Sequence, residues 1–114
     1  MAIQGAYKNS DWTKRDCFEL MNAYTEKYHN AIQVEAGIIV CKKTKFSLDA
    51  MSIWLEYCKI PQIITDMPNT CGKDNLPGFQ DHRHDQSILT NIMIDLQLPC
   101  TDEMRQFITC NYQP

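Results

Sequence analysis

Ile32-Gln33-Val34-Glu35-Ala36-Gly37-Ile38-Ile39-Val40-Cys41 is the stretch on which the fold turns. It is rich in β-branched residues, carries no charge between Glu35 and Lys42, and reads as a buried strand with Gly37 as a point of close backbone approach. A few residues on, Ser47 can cap a helix. Its apolar positions Leu48, Met51, Trp54, Leu55 and Cys58 recur at three- and four-residue spacing until Pro61 stops it, and this stripe is expected in the core. Strand followed by helix points to an α/β class, with two or three strands packed against at least two helices.

Toward the N-terminus, Thr13 with Asp16 three residues later fits a capping pattern, and Phe18, Leu20 and Met21 give apolar weight to a short helix. Residues 1–12 are expected to be a flexible arm, and the polar stretch from Asn22 to Asn30 reads as turn or irregular structure. Toward the C-terminus, Pro68, Gly72, Pro77 and Gly78 mark a long loop between Gln62 and Phe79. A second helix is expected from His84 or Asp85, where Ile88, Leu89, Ile92 and Leu96 share a face ahead of Pro99. From Thr101 onward the pattern fits either a short helix or a strand around Phe107-Ile108-Thr109. With 114 residues, no internal repeat and no low-complexity linker, one domain spanning 1–114 fits.

A net charge of -3 gives no basic footprint, so nucleic acid is excluded as the main partner. Basic residues gather only locally, in Lys14-Arg15 and Lys42-Lys43 with Lys45, and such runs read as solvated faces. The longest apolar stretch, Gly37 to Cys41, is too short for a membrane span. The six cysteines include no Cys-x-x-Cys pair, three lie among apolar neighbours, and the first residues lack a secretory pattern. Reduced thiols and a cytoplasmic location are therefore expected.

The chemistry concentrates in Asp81-His82-Arg83-His84-Asp85-Gln86, where a loop enters a helix. Asp85 can simply stabilise the helix start beneath it. It can also act as a carboxylate base toward an attacking hydroxyl. In an extended segment His82 and His84 project to one side, a permissive metal pair with Asp81 or Cys71 as a further ligand. Arg83 and the histidines can donate to a phosphate or a sugar hydroxyl.

The order Trp12-Thr13-Lys14-Arg15-Asp16, Glu35-Ala36-Gly37-Ile38-Ile39-Val40, Trp54-Leu55-Glu56-Tyr57-Cys58 and His82-Arg83-His84-Asp85-Gln86-Ser87-Ile88-Leu89 resembles the C-terminal half of GT-A-type nucleotide-sugar glycosyltransferases. It is more distantly similar to the glycogenin and lipopolysaccharide galactosyltransferase group. The resemblance covers most of the chain. It implies a partial GT-A-like fold and hexosyl transfer from a nucleotide sugar to a hydroxyl on a glycan or lipid acceptor. Under it, Asp85 and Gln86 would face the reacting centre, Ala36 and Gly37 would admit a sugar close to the backbone, and His82, Arg83 and His84 would line the diphosphate or acceptor. Manganese or magnesium is implied for a complete enzyme, with none expected on this chain alone. The family's Asp-x-Asp metal motif and N-terminal nucleotide-binding half have no counterpart in the sequence, so the chain is expected to be a truncated form or half of a split enzyme, with a complementary chain or self-association supplying the rest. Two other readings stay open: a noncatalytic carbohydrate- or protein-interaction module, and a small metal-dependent hydrolase built on His82 and His84.

Overall fold

The computed structural model describes residues 2–98 and 100–101. The first strand, β1 (Ala2–Lys8), runs antiparallel to β2 (Ile32–Ile39), and a two-residue strand, β3 (Cys100–Thr101), lies parallel on the other side of β1, giving the order β2-β1-β3. Between the strands come α1 (Arg15–Leu20) and α2 (Glu26–His29), and after β2 come α3 (Lys45–Cys58), α4 (Pro61–Ile64) and α5 (Asp85–Asp95). The α/β class expected from the sequence is the class the chain adopts, as a small compact domain.

Strand β1 pairs Ile3 with Glu35, Gln4 with Val34 and Lys8 with Ile32, with an irregularity between Gln4 and Lys8. Gly5 sits in that irregularity. A Cβ there would lie 2.9 Å from the Gln33 carbonyl oxygen, so the two backbones come this close only because the residue has no side chain.

Helix α5 is the hub, its residues from Ser87 to Met93 all buried. Leu89 and Met93, one turn apart, pack with Ala2 and Val34 of the sheet, while Ile88 and Ile92 on the neighbouring ridge pack with Cys17 of α1 and Ile63 of α4. Phe18, Ala23 and Tyr28 form a third cluster. Such a helix is expected to be apolar all round. Here its buried Ser87, Thr90 and Asn91 are all hydrogen-bonded, Thr90 accepting from the Val34 N–H and Asn91 from Asn9.

The structure corrects several expectations. Residues 2–11 are not a flexible arm. They form β1 and a 3-10 turn at Asn9–Asp11, because Ala2 is buried in the core and β2 supplies the pairing partner. The stretch read as irregular contains α2, seated by Tyr28 against Phe18. In α3 the capping group is Thr44, three residues ahead of Ser47, the two side chains exchanging bonds with each other's backbone N–H. The α3 stripe does not form core either: Leu48 and Leu55 are 51% and 57% exposed. This helix packs against the cluster between α4 and α5 through Trp54, Tyr57 and Cys58. Phe46, Ala50 and Met51 border a groove of about 530 Å³ shared with Ile39, Leu89 and Leu98, while Leu48 and Leu55 border another shared with Asp85. The segment around Phe107-Ile108-Thr109 lies outside the described residues.

Candidate functional site

Helix α1 has a lysine at its N-cap, a residue whose side chain cannot accept the free N–H groups of a first turn. The long loop accepts them instead. The Lys14 N–H donates to His82 Nδ1 at 3.1 Å, the Arg15 N–H to Asn75 Oδ1 at 2.8 Å and the Asp16 N–H to Asn69 Oδ1 at 2.8 Å. In return, the Asp16 carboxylate accepts the N–H groups of Thr70 and Cys71. Burial pushes the Asp16 carboxyl up, but these backbone and hydroxyl donors outweigh it and hold the group below its ordinary value. Thr13, which the sequence suggested as the cap, is buried and donates to Asn9 Oδ1 at 2.7 Å.

His82 closes this arrangement. Only 2% of it is exposed, and its two ring nitrogens are both engaged, Nδ1 accepting from Lys14 and Nε2 lying 2.8 Å from the Ile63 carbonyl oxygen. The accepting Nδ1 requires the proton on Nε2, hence a neutral ring. Burial, only partly offset by the bond to Ile63, lowers its pKa to about 4. A His82-His84 metal pair is therefore corrected: the rings stand edge to face at 5.3 Å, and His82 has no lone pair to give.

On the far side of the turn, the Gln86 amide donates to Gln33 Oε1 at 2.9 Å. Gln33 is fully buried, and its own amide is surrounded by Asn9 Oδ1, Thr13 Oγ1, Ser87 Oγ and the Trp12 carbonyl. Residues 83–85 are thus displayed between two interior anchors. Arg83 is exposed and lies over Trp12 at 4.4 Å and Tyr7 at 5.4 Å, while its N–H donates to the Trp12 carbonyl at 3.0 Å. It makes no ion pair among the described residues. His84 caps α5 with φ 51° and ψ −115°, a conformation that costs a non-glycine residue about 1–3 kcal/mol, and its Nε2 lies 2.9 Å from Asp66 Oδ1. Asp85 is exposed at the first helical position, with Oδ1 accepting the Gln86 N–H at 2.9 Å, while its carbonyl accepts from the Trp54 indole at 3.1 Å.

Ala36 and Gly37 are not brought to this turn. The β2 residue that meets it is Gln33, and Ala36 and Gly37 lie roughly 10 and 13 Å farther along the strand at about 3.3 Å per residue. Ala36 packs against the sheet face of α5, and a Cβ placed on Gly37 would meet nothing within 4 Å. The close approach read into Gly37 belongs to Gly5.

Sequence reasoning passed over Lys14, Asp66, Asn69, Asn75 and Phe79, which with Asp81 and His82 surround a pocket of about 180 Å³ beside the turn. One signal was present. A lysine at the start of a short helix leaves N–H groups that something distant must accept, and the asparagines of the loop are the residue type for that task. Among the described residues no three of His, Cys, Asp or Glu converge as a metal site. No helix among them is long and apolar enough to cross a membrane. Comparison with protein-family models, with curated proteins and with solved structures returned no match.

Proposed function

We propose that this chain is the acceptor-side segment of a GT-A-like glycosyltransferase, which moves a hexosyl group from a nucleotide sugar to a hydroxyl of a glycan or lipid once the nucleotide-holding half is supplied. The observation that carries the reading is the turn itself: His82 is buried and Gln86 is tied to the buried Gln33, so that Arg83, His84 and Asp85 stand exposed on consecutive residues with a strained backbone at His84. A helix start serving only the fold needs neither the strain at His84 nor an arginine seated on two rings.

In transfer, the acceptor oxygen bonds to the anomeric carbon as the bond from that carbon to the diphosphate oxygen breaks. Asp85 takes the acceptor proton, and its exposure leaves it within reach of a bound hydroxyl. The leaving diphosphate gains negative charge, which the Arg83 guanidinium is suited to stabilise because stacking on Trp12 already orders it. Gln86 serves as an anchor through Gln33. The exposed apolar face of α3 favours a second reading, a noncatalytic carbohydrate- or protein-interaction module on the same fold.

Thermal stabilisation of the enzyme assembled from this chain and its nucleotide-holding half, by a panel of uridine- and guanosine-diphosphate sugars with magnesium, tests the proposal. At ten times Kd a ligand adds about 1.4 kcal/mol, and Arg83→Gln is expected to remove the shift while costing the ligand-free fold only the exposed ring contact, about 0.5–1 kcal/mol. Stabilisation by none of the panel, or the same shift in Arg83→Gln, rejects it.

A further inference from the structure

Lys14 is 3% exposed, and its ammonium has one hydrogen-bond acceptor among the described residues, the Met67 carbonyl at 3.0 Å. An ammonium carries three N–H donors, and a buried one with a single partner is costly. Lys14 makes no ion pair with a carboxylate among the described residues. Burial lowers its pKa, although Asp16 and Asp66 act in the opposite direction. The side chain borders the pocket of about 180 Å³, so the unused donors have a space beside them in which an acceptor oxygen can sit.

The other groups around that space narrow the choice of ligand. Asp66 and Asp81 oppose a phosphate or other dianion, and the buried ammonium opposes a metal cation. What remains is a neutral ligand whose hydroxyls both accept and donate, accepting from Lys14 and Asn75 and donating to the two carboxylates. Asn75 is suited to this because its Oδ1 already serves Arg15 and Asn69, while its NH₂ has no partner among the described residues. Phe79 adds an apolar face. The volume falls below the roughly 300–1,000 Å³ of sites for drug-sized ligands, which favours a single small ring.

We infer that the Lys14 pocket binds one sugar ring. The inference rests on the transfer reading only in assigning that ring to the acceptor.

Saturation-transfer NMR of the full chain with methyl glucosides, galactosides and mannosides tests it without any nucleotide. At least one hexoside is expected to receive saturation, with the signal lost in Lys14→Met and reduced about fivefold or more in Asp81→Asn. Should Lys14→Met fail to fold, the surface variants Asp66→Asn and Asp81→Asn decide the question. In Asp81→Asn the amide oxygen can still accept the His82 N–H, which the Asp81 carboxylate accepts at 2.9 Å, so the turn is kept. No transfer to any hexoside, transfer unchanged in the carboxylate variants, or displacement of the hexoside by inorganic phosphate overturns the inference. Hexoside binding by this chain without nucleotide-sugar binding by the assembled enzyme keeps the pocket and rejects the transfer reading; the converse rejects the pocket alone.

Discussion

His82 shows how a residue with the chemistry of a catalyst can be spent on architecture. Both ring nitrogens are used, one by the Lys14 N–H and one by the Ile63 carbonyl, and the ring is buried. The unfolded side chain titrates at the ordinary 6.5 and the folded one at about 4. Between those values the unfolded chain binds a proton that the folded chain does not, so stability is fully present above pH 6.5 and lost as pH falls toward 4. The loss is expected to be about 3 kcal/mol. Urea melts of wild type and His82→Gln between about pH 7.5 and 4.5 check this: wild type should weaken more steeply than the variant, which keeps the shallower loss from His29, Asp16 and Glu19. Equal slopes would show that His82 is not the group titrating. At this scale the sequence singled out the hexapeptide but not which of its residues the fold buries. Residue type cannot tell which of His82 and His84 faces inward, because that depends on Lys14 and Ile63, 68 and 19 residues away.

Among the elements, β2, α3 and α5 were legible because each carries its own period or β-branched run, while β1 and α2 were not. Strand β1 is short, contains Gly5 and is defined by its pairing with β2, and α2 is a single turn held by Tyr28. The α3 stripe predicted a helix correctly and its burial incorrectly, since periodicity reports that one face is apolar without saying what covers it. A contrast within that stripe follows. Trp54 touches two core clusters and donates to the Asp85 carbonyl, whereas Leu55 is 57% exposed. Trp54→Ala is expected to cost about 3 kcal/mol, the low end for a buried aromatic because the ring is only partly covered. Leu55→Ala should stay within about 0.5 kcal/mol. Equal losses in chemical denaturation would mean that the α3 face is covered in solution.

For the whole molecule, the site's scaffold was the least legible part. Asn69, Asn75 and Asp16 tie the loop to α1 over more than fifty positions of sequence, and no local pattern signals such exchange of caps. The Lys14 pocket takes Asp81 and His82 from the hexapeptide, while Asp85 borders a different pocket, with Trp54 and Leu55 of α3. The most direct measurement is hexosyl transfer by the enzyme assembled from this chain and its nucleotide-holding half, followed as release of nucleoside diphosphate. Asp85→Asn should lower kcat/KM by about 100-fold or more with Tm unchanged, the magnitude of a lost general base. Turnover undiminished in Asp85→Asn would contradict the account.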